Sequence, residues 1–129
     1  MFIAIDFDGT CVTNDFPKIG KDIGAVPVLK ELVRNKHKII LLTNRSGKEL
    51  TEAINWFAQN SLPLFGINKN PIQWKFSKSP KIYADLYIED RALGCPLKTD
   101  SSLSNKPFVD WSSVAHLLME KYNISINPE

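Results

Sequence analysis

Two aspartates separated by one residue, Asp6 and Asp8, follow a short apolar run at the start of the chain. Two carboxylates this close at the end of a buried strand repel each other unless a cation or a proton compensates their charge. Hard oxygen ligands without a neighbouring Cys or His favour Mg²⁺ over zinc. Asp90, in the acidic pair Glu89-Asp90, would complete the protein's share of an octahedral shell. The three aspartates Asp6, Asp8 and Asp90 are therefore predicted to bind Mg²⁺.

A phosphate is the second ligand that these residues favour. Gly9 follows the aspartate pair directly, and its lack of a side chain permits a tight turn and a close approach of backbone amides to an anion. The Thr43 hydroxyl and the ammonium group of Lys81 or Lys78 would add donors to the same phosphoryl group. A metal and a phosphate would then share one site.

Short apolar strands alternate with amphipathic helices along the chain. Continuous apolar runs such as residues 38–43 are typical of strands that a parallel sheet buries on both faces. We therefore expect an α/β fold with a doubly wound, mainly parallel, Rossmann-like sheet and helices on both faces. The strands are predicted at residues 2–7, 38–43, 64–67, 85–89 and 108–109, and the helices at 25–36, from Ser46 to just before Pro63, and at 111–122.

Two of the helix starts carry capping residues. Ser46 and Glu49 have the capping-box spacing, in which hydroxyl and carboxylate satisfy the free amides of a first turn. Asp110 stands directly before the last helix as a candidate N-cap. Both helices are thus predicted to begin at side-chain hydrogen bonds.

The polar residues that could do chemistry follow three of the predicted strands. In open parallel sheets, ligands bind outside the carboxyl ends of the strands, where neighbouring connections diverge. We therefore expect these residues to lie together at one edge of the sheet: Asp6, Asp8, Thr43, Asn44, Glu89 and Asp90.

Four segments resemble, in order, the motifs of the haloacid dehalogenase (HAD) superfamily. The first segment looks like the DxDGT signature that phosphatases of this superfamily carry after strand one. The resemblance spans roughly residues 1–97. The four segments are Asp6-Phe7-Asp8-Gly9-Thr10, Leu41-Leu42-Thr43-Asn44-Arg45, Lys81 or Lys78, and Tyr87-Ile88-Glu89-Asp90-Arg91.

This resemblance implies a Mg²⁺-dependent phosphatase that hydrolyses a phosphomonoester in two steps. Asp6 would attack phosphorus to form an aspartyl-phosphate, which water then hydrolyses. Asp8 would protonate the leaving alcohol and later deprotonate the attacking water. Such an enzyme is a hydrolase of phosphoric monoesters.

The resemblance also implies the remaining roles. Thr43 and Lys81 would be catalytic through the phosphoryl group, and Lys81 is preferred to Lys78 for its register before the fourth strand. Glu89 stands where the family often has Asp, so it is expected to bind a metal-bound water and to leave direct coordination to Asp90. The residues expected to bind substrate are Gly9, Thr10, Asn44 and Arg45.

The spacing of the motifs leaves no room for a large inserted cap domain, so the site is expected to be open unless loops or the second subunit of a homodimer cover it. The connections 10–24, 68–80 and 91–107 exceed the usual four to six residues, and such loops are often functional. Trp74, Phe76 and Arg45 are candidates to contact substrate. Lysines in the middle connection form either a basic rim for a polyanion or a solvated loop: Lys69, Lys75, Lys78 and Lys81.

Composition limits the partners and the compartment. With 129 residues, the chain is expected to form a single domain, 1–129. The net charge of +2 argues against a nucleic-acid binder, while a nucleotide or a sugar phosphate, free or on a larger molecule, stays open as substrate. Cys11 and Cys95 show no metal or disulfide spacing, which favours a cytoplasmic protein. The apolar start meets Asp6 too early for a signal peptide or a membrane span.

Two other functions remain as alternatives. A signalling receiver domain shares the fold class, but its acceptor Asp should follow the third strand, and residues 64–70 contain none. A degenerate HAD-like protein would bind Mg²⁺ and a phosphorylated ligand, or a partner protein, without turnover. Metal-dependent release of phosphate distinguishes this last alternative from the phosphatase.

Overall fold

The structure is a computed structural model that describes residues 1–126. No helix in this range is long and apolar enough to cross a membrane. Six strands and three α-helices follow the order β1 (Phe2–Ile5), α1 (Ala25–Arg34), β2 (Lys38–Leu41), α2 (Gly47–Gln59), β3 (Leu64–Ile67), β4 (Leu86–Ile88), β5 (Leu97–Lys98), β6 (Phe108–Val109) and α3 (Trp111–Tyr122).

Strands β1 to β4 form a parallel sheet in the order β3-β2-β1-β4. Ile5 at the end of β1 pairs with Leu41 of β2 and with Ile88 of β4. The residues that follow these three strands therefore emerge side by side. The prediction of an α/β fold with a parallel sheet flanked by helices is confirmed.

The strand at 108–109 forms as predicted but does not join the main sheet. It pairs antiparallel with β5, a strand that the sequence analysis does not predict. Leu97 and Lys98 are both exposed and form a strand of only two residues. So short a segment carries no periodicity that could identify it.

One face of the main sheet packs against the helices. Ile3 and Ile5 point to this face, where they join Leu29 of α1, Phe57 of α2 and Leu118 of α3 in one buried cluster. The two strand residues are fully buried, which explains why β1 reads as a continuous apolar run. This packing fixes the position at which β1 ends.

The connection from β3 to β4 contains one turn of 3-10 helix, Gln73–Lys75, where a fully doubly wound sheet would carry an α-helix. Pro71 and Pro80 leave only a short segment between them, and its large apolar residues recur at every second position, 72, 74 and 76. That spacing does not build a helical face.

The two predicted helix caps have different outcomes. Asp110 is the N-cap of α3, and its carboxylate accepts hydrogen bonds from the backbone amide and the hydroxyl of Ser113, at 3.3 and 2.8 Å. Ser46 is the N-cap of α2, but its side chain makes no capping hydrogen bond, so the predicted capping box is wrong. The next residue, Gly47, has φ +54°, so the first turn lacks the geometry that a capping box needs.

This difference predicts the effects of two matched substitutions. Asp110→Ala should lower the free energy of unfolding by about 1 kcal/mol, because it removes the only side-chain acceptor of the α3 cap. Ser46→Ala should change it by less than about 0.5 kcal/mol, because no capping bond is lost. Urea denaturation followed by circular dichroism measures both. Equal losses of unfolding free energy in the two variants would contradict the conclusion that Asp110, but not Ser46, makes a capping hydrogen bond.

Candidate active site

A cavity of about 260 Å³ opens at the carboxyl ends of β1, β2 and β4. The residues predicted to do chemistry from three separate motifs meet here. Three further lining residues, Asn14, Phe16 and Arg91, were not predicted to line a metal or phosphate site. The lining consists of Asp6, Asp8, Asn14, Phe16, Thr43, Asn44, Arg45, Glu89, Asp90 and Arg91.

Thr10 joins the first and fourth motifs. Its hydroxyl lies 3.2 Å from Asp6 Oδ2 and 3.4 Å from Asp90 Oδ1, and it accepts a hydrogen bond of 3.0 Å from the Asp90 amide. Sequence analysis predicts that Thr10 binds substrate, but the structure buries it completely. Thr10 instead holds the two carboxylates beside each other.

Gly9 makes this close approach possible. A Cβ at this position would lie 2.3 Å from Asp90 Oδ2, and the residue has φ +81°, which favours glycine. The expected phosphate cradle of free amides is absent in this turn, because the Gly9 amide donates to Val12 O and the Thr10 amide to Phe7 O. Gly9 therefore makes room for Asp90 and does not offer its amide to an anion.

Residues of β6 and α3 donate hydrogen bonds to the backbone carbonyls of the same turn. The Val109 amide of β6 donates to Gly9 O at 3.0 Å. The indole of Trp111, almost fully buried at the start of α3, donates to Thr10 O at 2.7 Å. Sequence reasoning places Trp111 in the core without a link to the site, because only the tertiary structure brings α3 beneath the first motif.

Asp8 is held apart from the other two aspartates by Arg45. The guanidinium donates from Nε to Asp8 Oδ2 at 2.8 Å and from Nη2 to Asp8 Oδ1 at 2.7 Å. Its other N–H groups donate to the carbonyls of Pro17, Lys18 and Glu49. All five donors of the guanidinium thus have partners within the chain.

The surroundings of Arg45 make it an internal residue. Its side chain is 1% exposed, and its guanidinium carbon lies 5.1 Å from the ring centroids of both Phe7 and Phe16. The hydrogen bond to Asp8 is the main cause that raises the pKa of Arg45 above its ordinary value. Arg45 therefore orients Asp8 and has no free donor for the substrate that sequence analysis predicts it to contact.

The donors fit a hard cation only in part. Among residues 1–126, no group of three or more His, Cys, Asp or Glu side chains is arranged to hold a metal ion. The predicted trio does not converge through its carboxylates, because Asp8 turns toward Arg45 while Asp6 and Asp90 stay together. Two adjacent carboxylates remain, and such oxygen donors match Mg²⁺.

The electrostatics of Asp6 reflect this crowding. Burial raises its pKa to about 7, and the hydrogen bond and charge of Asp90 add to the rise. Hydrogen bonds from the Phe7 amide and the Thr10 hydroxyl act in the opposite direction. Near neutral pH the Asp6 carboxyl thus holds a proton in about half of the molecules, unless a cation offsets its charge.

Thr43 is anchored by a residue that sequence analysis misses. Asn68 accepts a hydrogen bond of 2.8 Å from the Thr43 amide and donates one of 3.0 Å to the Thr43 carbonyl. It follows β3 with φ +53°, a conformation that Asn tolerates better than most residues. An Asn directly after a strand end was the only signal, and it belongs to no motif.

A second cavity, also of about 260 Å³, adjoins the first and shares Asp6, Thr43, Asn44 and Glu89 with it. The rest of its lining is largely apolar and comes from the sheet and the β3–β4 connection: Ala4, Leu42, Asn68, Ile82, Tyr87 and Ile88. Space for a substrate therefore continues from the carboxylates toward that connection.

The lysine of the third motif is not brought into the site. Neither Lys81 nor Lys78 lines either cavity, and both are exposed. The Lys81 carbonyl accepts a 2.7 Å hydrogen bond from Gln73, and the following residue, Ile82, lines the second cavity. Lys81 thus stands beside the cavities, next in the chain to a lining residue.

The raised pKa of Asp6 predicts a pH-dependent stability. Native Asp6 keeps a proton that the unfolded chain loses near 3.8, so the free energy of unfolding should fall as pH rises from about 4 to about 7. Asp6→Asn removes the titrating group. The free energy of unfolding of this variant should exceed that of the wild type by roughly 2–4 kcal/mol at about pH 8, with almost no difference at about pH 4.

Urea denaturation in the presence of a chelator measures this difference. Asp100 is an exposed control whose pKa is lowered, chiefly by the Ser102 hydroxyl. Asp100→Asn should have the opposite effect: it should lower the free energy of unfolding as pH rises above the ordinary pKa of an aspartate. A gain for Asp6→Asn that does not vary with pH would contradict the raised pKa.

Comparisons with known proteins find one relevant similarity. No family model matches the chain, and a search of curated proteins finds no significant match. A solved structure of a conserved protein from Bacteroides thetaiotaomicron is similar, with a TM-score of 0.75 and 37% sequence identity. The similarity covers 94% of this chain and 91% of that one. At this identity over nearly the full length of both chains, the protein belongs to the same family as the conserved Bacteroides thetaiotaomicron protein.

Proposed function

We propose that the protein is a Mg²⁺-dependent phosphatase of the HAD superfamily that hydrolyses a phosphomonoester through an aspartyl-phosphate. One observation carries the proposal: Asp6 and Asp90, from two distant motifs, lie beside each other on Thr10 in a cavity that Thr43 also lines. Two half-buried carboxylates side by side are costly for stability, and a functional site is where such a cost is commonly found.

Asp6 and Asp90 are the side chains that would hold Mg²⁺, with Glu89 at the same cavity to bind one of its waters. The cation would offset the repulsion between the anionic carboxylate and an anionic phosphate. Mg²⁺ usually takes only one or two carboxylates from a protein and keeps several waters, so two suffice. The carboxylate of Asp8 is not needed for this role.

Asp6 is the nucleophile, because it follows the central strand β1 and its carboxylate faces both cavities. Its oxygen attacks phosphorus while the leaving alcohol departs, and water later cleaves the resulting acyl phosphate. Because burial and Asp90 raise the pKa of Asp6 to about 7, a bound cation would favour the ionised, nucleophilic form at neutral pH.

Asp8 carries the proton in both steps. It would enter the first step protonated on a lone pair that faces the cavity and would give this proton to the leaving oxygen. As the resulting carboxylate, it would then take a proton from the attacking water. Each Asp8 oxygen accepts one hydrogen bond from Arg45 and keeps a second lone pair for the cavity. Arg45 therefore fixes the carboxyl of Asp8 in one orientation without occupying it fully.

Thr43, Asn44 and Asn14 are neutral groups at the cavity whose side chains can donate to the phosphoryl oxygens. Asn68 fixes the backbone of Thr43 on both sides of the residue, so its hydroxyl is preorganised. Lys81 would have to swing its exposed side chain over the cavity to act as the predicted third-motif lysine. Its neighbour in the chain, Ile82, lines the second cavity.

The lengths of the connections support a small or absent cap. Residues 8–24 form a loop pinned by the Thr13 hydroxyl on the Lys21 amide, and the β2–β3 connection is mostly occupied by α2. Neither connection holds a separate body. The cavities consequently stay open to a phosphomonoester that is part of a larger molecule.

The decisive test is phosphate release from an aryl phosphate such as p-nitrophenyl phosphate with added Mg²⁺. We expect Asp6→Asn to reduce turnover by at least about 10³-fold, because the amide is no nucleophile, and a chelator to abolish turnover in the wild type. Asp100→Asn serves as the exposed-aspartate control and should retain full activity. Turnover that survives in Asp6→Asn would remove Asp6 as nucleophile.

Arg45→Lys separates positioning of Asp8 from substrate binding. Lysine keeps the charge but lacks the planar fork that holds both Asp8 oxygens. We expect kcat to fall by about 10- to 100-fold with little change in KM, because Asp8 loses its orientation. A large rise in KM at constant kcat would instead assign Arg45 to the substrate. Thermal unfolding of the variant tells loss of structure from loss of chemistry.

A binding protein of the same fold without turnover is the alternative. Two observations favour it: Asp8 is paired with Arg45, and the Lys81 and Lys78 side chains lie outside both cavity linings. Such a protein would bind Mg²⁺ together with a phosphorylated ligand or a partner protein. Mg²⁺ binding measured by calorimetry, combined with no phosphate release from a broad set of phosphomonoesters, would select this alternative.

A further inference from the structure

The connection between β3 and β4 exposes three aromatic rings. Trp74 is 74% exposed, Phe76 57% and Tyr83 41%. Phe76 and Tyr83 pack edge to face with centroids 5.4 Å apart, and Lys75 Nζ lies 5.8 Å from the Trp74 ring. We name residues 69–83 the aromatic-basic loop. Large apolar rings left in solvent in such number mark an interaction surface.

The charge of this loop has one sign. Between Ile67 and Asp85 the chain contains no acidic residue. All four basic residues of the loop are exposed: Lys69, Lys75, Lys78 and Lys81. The small net charge of the whole chain conceals this local excess, since acidic residues elsewhere balance it.

Two buried amide side chains keep the loop ordered. Gln73 donates to the carbonyls of Ser79 and Lys81 and accepts a 2.8 Å hydrogen bond from the Tyr83 amide. Asn70 donates to the Tyr83 carbonyl. Both amides are at most 9% exposed. The rings and the lysines are therefore presented on a fixed backbone, which lowers the entropy that binding would cost.

The loop leads into the candidate active site. Ile82 belongs to the loop and lines the second cavity together with Asp6 and Thr43. Tyr87, 40% exposed, lines the same cavity, and its hydroxyl donates to Ile82 O. A ligand bound along the loop would thus have one end beside the nucleophile.

We propose that the aromatic-basic loop binds single-stranded nucleic acid, so that a terminal phosphate of the strand reaches the cavity at Asp6. Exposed rings offer stacking surfaces for unpaired bases, and lysines between them match the phosphates, which is the usual chemistry of single-strand binding. The position of the phosphate rests on the proposed phosphatase function; the binding itself does not.

The local charge of the loop differs from the net charge, which by itself argues against a nucleic-acid binder. The expectation used the net charge of +2, whereas a strand senses the charges within roughly a Debye length, about 10 Å at moderate salt. The loop itself contributes four lysines, and the acidic residue that adjoins it is Asp85, which accepts a hydrogen bond from the Tyr83 hydroxyl. A folded partner protein would use the rings but has less need of four lysines, and an anionic lipid surface, which would use both, is an outcome that the test distinguishes.

Fluorescence anisotropy with a labelled oligothymidine of roughly 12 nucleotides, lacking a terminal phosphate, tests the binding at low salt with a chelator present. We expect saturable binding that weakens as salt rises. Trp74→Ala and Phe76→Ala should each weaken it about tenfold, by loss of one stacking surface. Lys75→Gln should lower the slope of log affinity against log salt by about 0.7.

Control variants come from the end of α3, whose residues belong neither to the loop nor to the lining of the two site cavities. Tyr122→Ala removes a ring of similar exposure and Lys121→Gln a lysine, and both should bind like the wild type. Polyglutamate should compete poorly, because it carries charge without bases. Because the strand lacks a terminal phosphate and the assay contains a chelator, binding is measured apart from catalysis, so a failed phosphatase assay and failed strand binding are separate results.

Three outcomes would overturn the proposal. The first is no saturable binding at low salt, and the second is binding that Trp74→Ala leaves unchanged. The third is that Trp74→Ala abolishes a different association of the wild type: a concentration-dependent dimer seen by light scattering, or binding to vesicles of anionic lipid. In that case the loop is an interface between copies or a membrane-binding surface.

Discussion

The candidate active site depends on two half-buried carboxylates that lie beside each other at the ends of β1 and β4. Asp6 follows β1, Asp90 follows β4, and the Thr10 hydroxyl lies between them. Burial alone raises the pKa of Asp6, and the neighbouring Asp90 raises it further. Gly9 has no Cβ that would collide with Asp90. The Val109 amide of β6 and the Trp111 indole donate hydrogen bonds to the carbonyls of Gly9 and Thr10. A fold that served stability alone would avoid this arrangement.

A buried cation balances this arrangement from the other side of the cavity. Arg45 directs its five donors to Asp8 and to three backbone carbonyls, and two of those carbonyls belong to the loop after β1. One side chain thereby joins the first motif, that loop and the start of α2. Removing either member of such a pair would leave an uncompensated charge with little water around it. The site thus contains two adjacent carboxylates, Asp6 and Asp90, and a third carboxylate, Asp8, whose charge Arg45 neutralises.

Much of the architecture was predictable from local patterns. The strand at 64–67 and the helix at 111–122 have the predicted bounds, and Asp110 caps that helix, because hydrophobic period and cap are properties of neighbouring residues. Predictions that needed geometry failed more often. The hydroxyl of Ser46 makes no capping bond beside a glycine with positive φ, and Phe108–Val109 pairs with an unpredicted strand outside the main sheet. Pairing partners and backbone angles depend on contacts between distant segments.

The sequence by itself determined which residue types stand at the ends of the strands, and the parallel order of those strands brings Asp6, Thr43 and Asp90 to one cavity. Only the tertiary structure decided what each side chain faces. It turns Asp8 to Arg45, buries Thr10, recruits Asn68 to Thr43 and leaves Lys81 outside the cavity linings. The physical reason is that a motif specifies chemistry and spacing along the chain, whereas the partner of a charged or hydrogen-bonding group is the nearest complementary group in space. That group often comes from a segment with no motif at all.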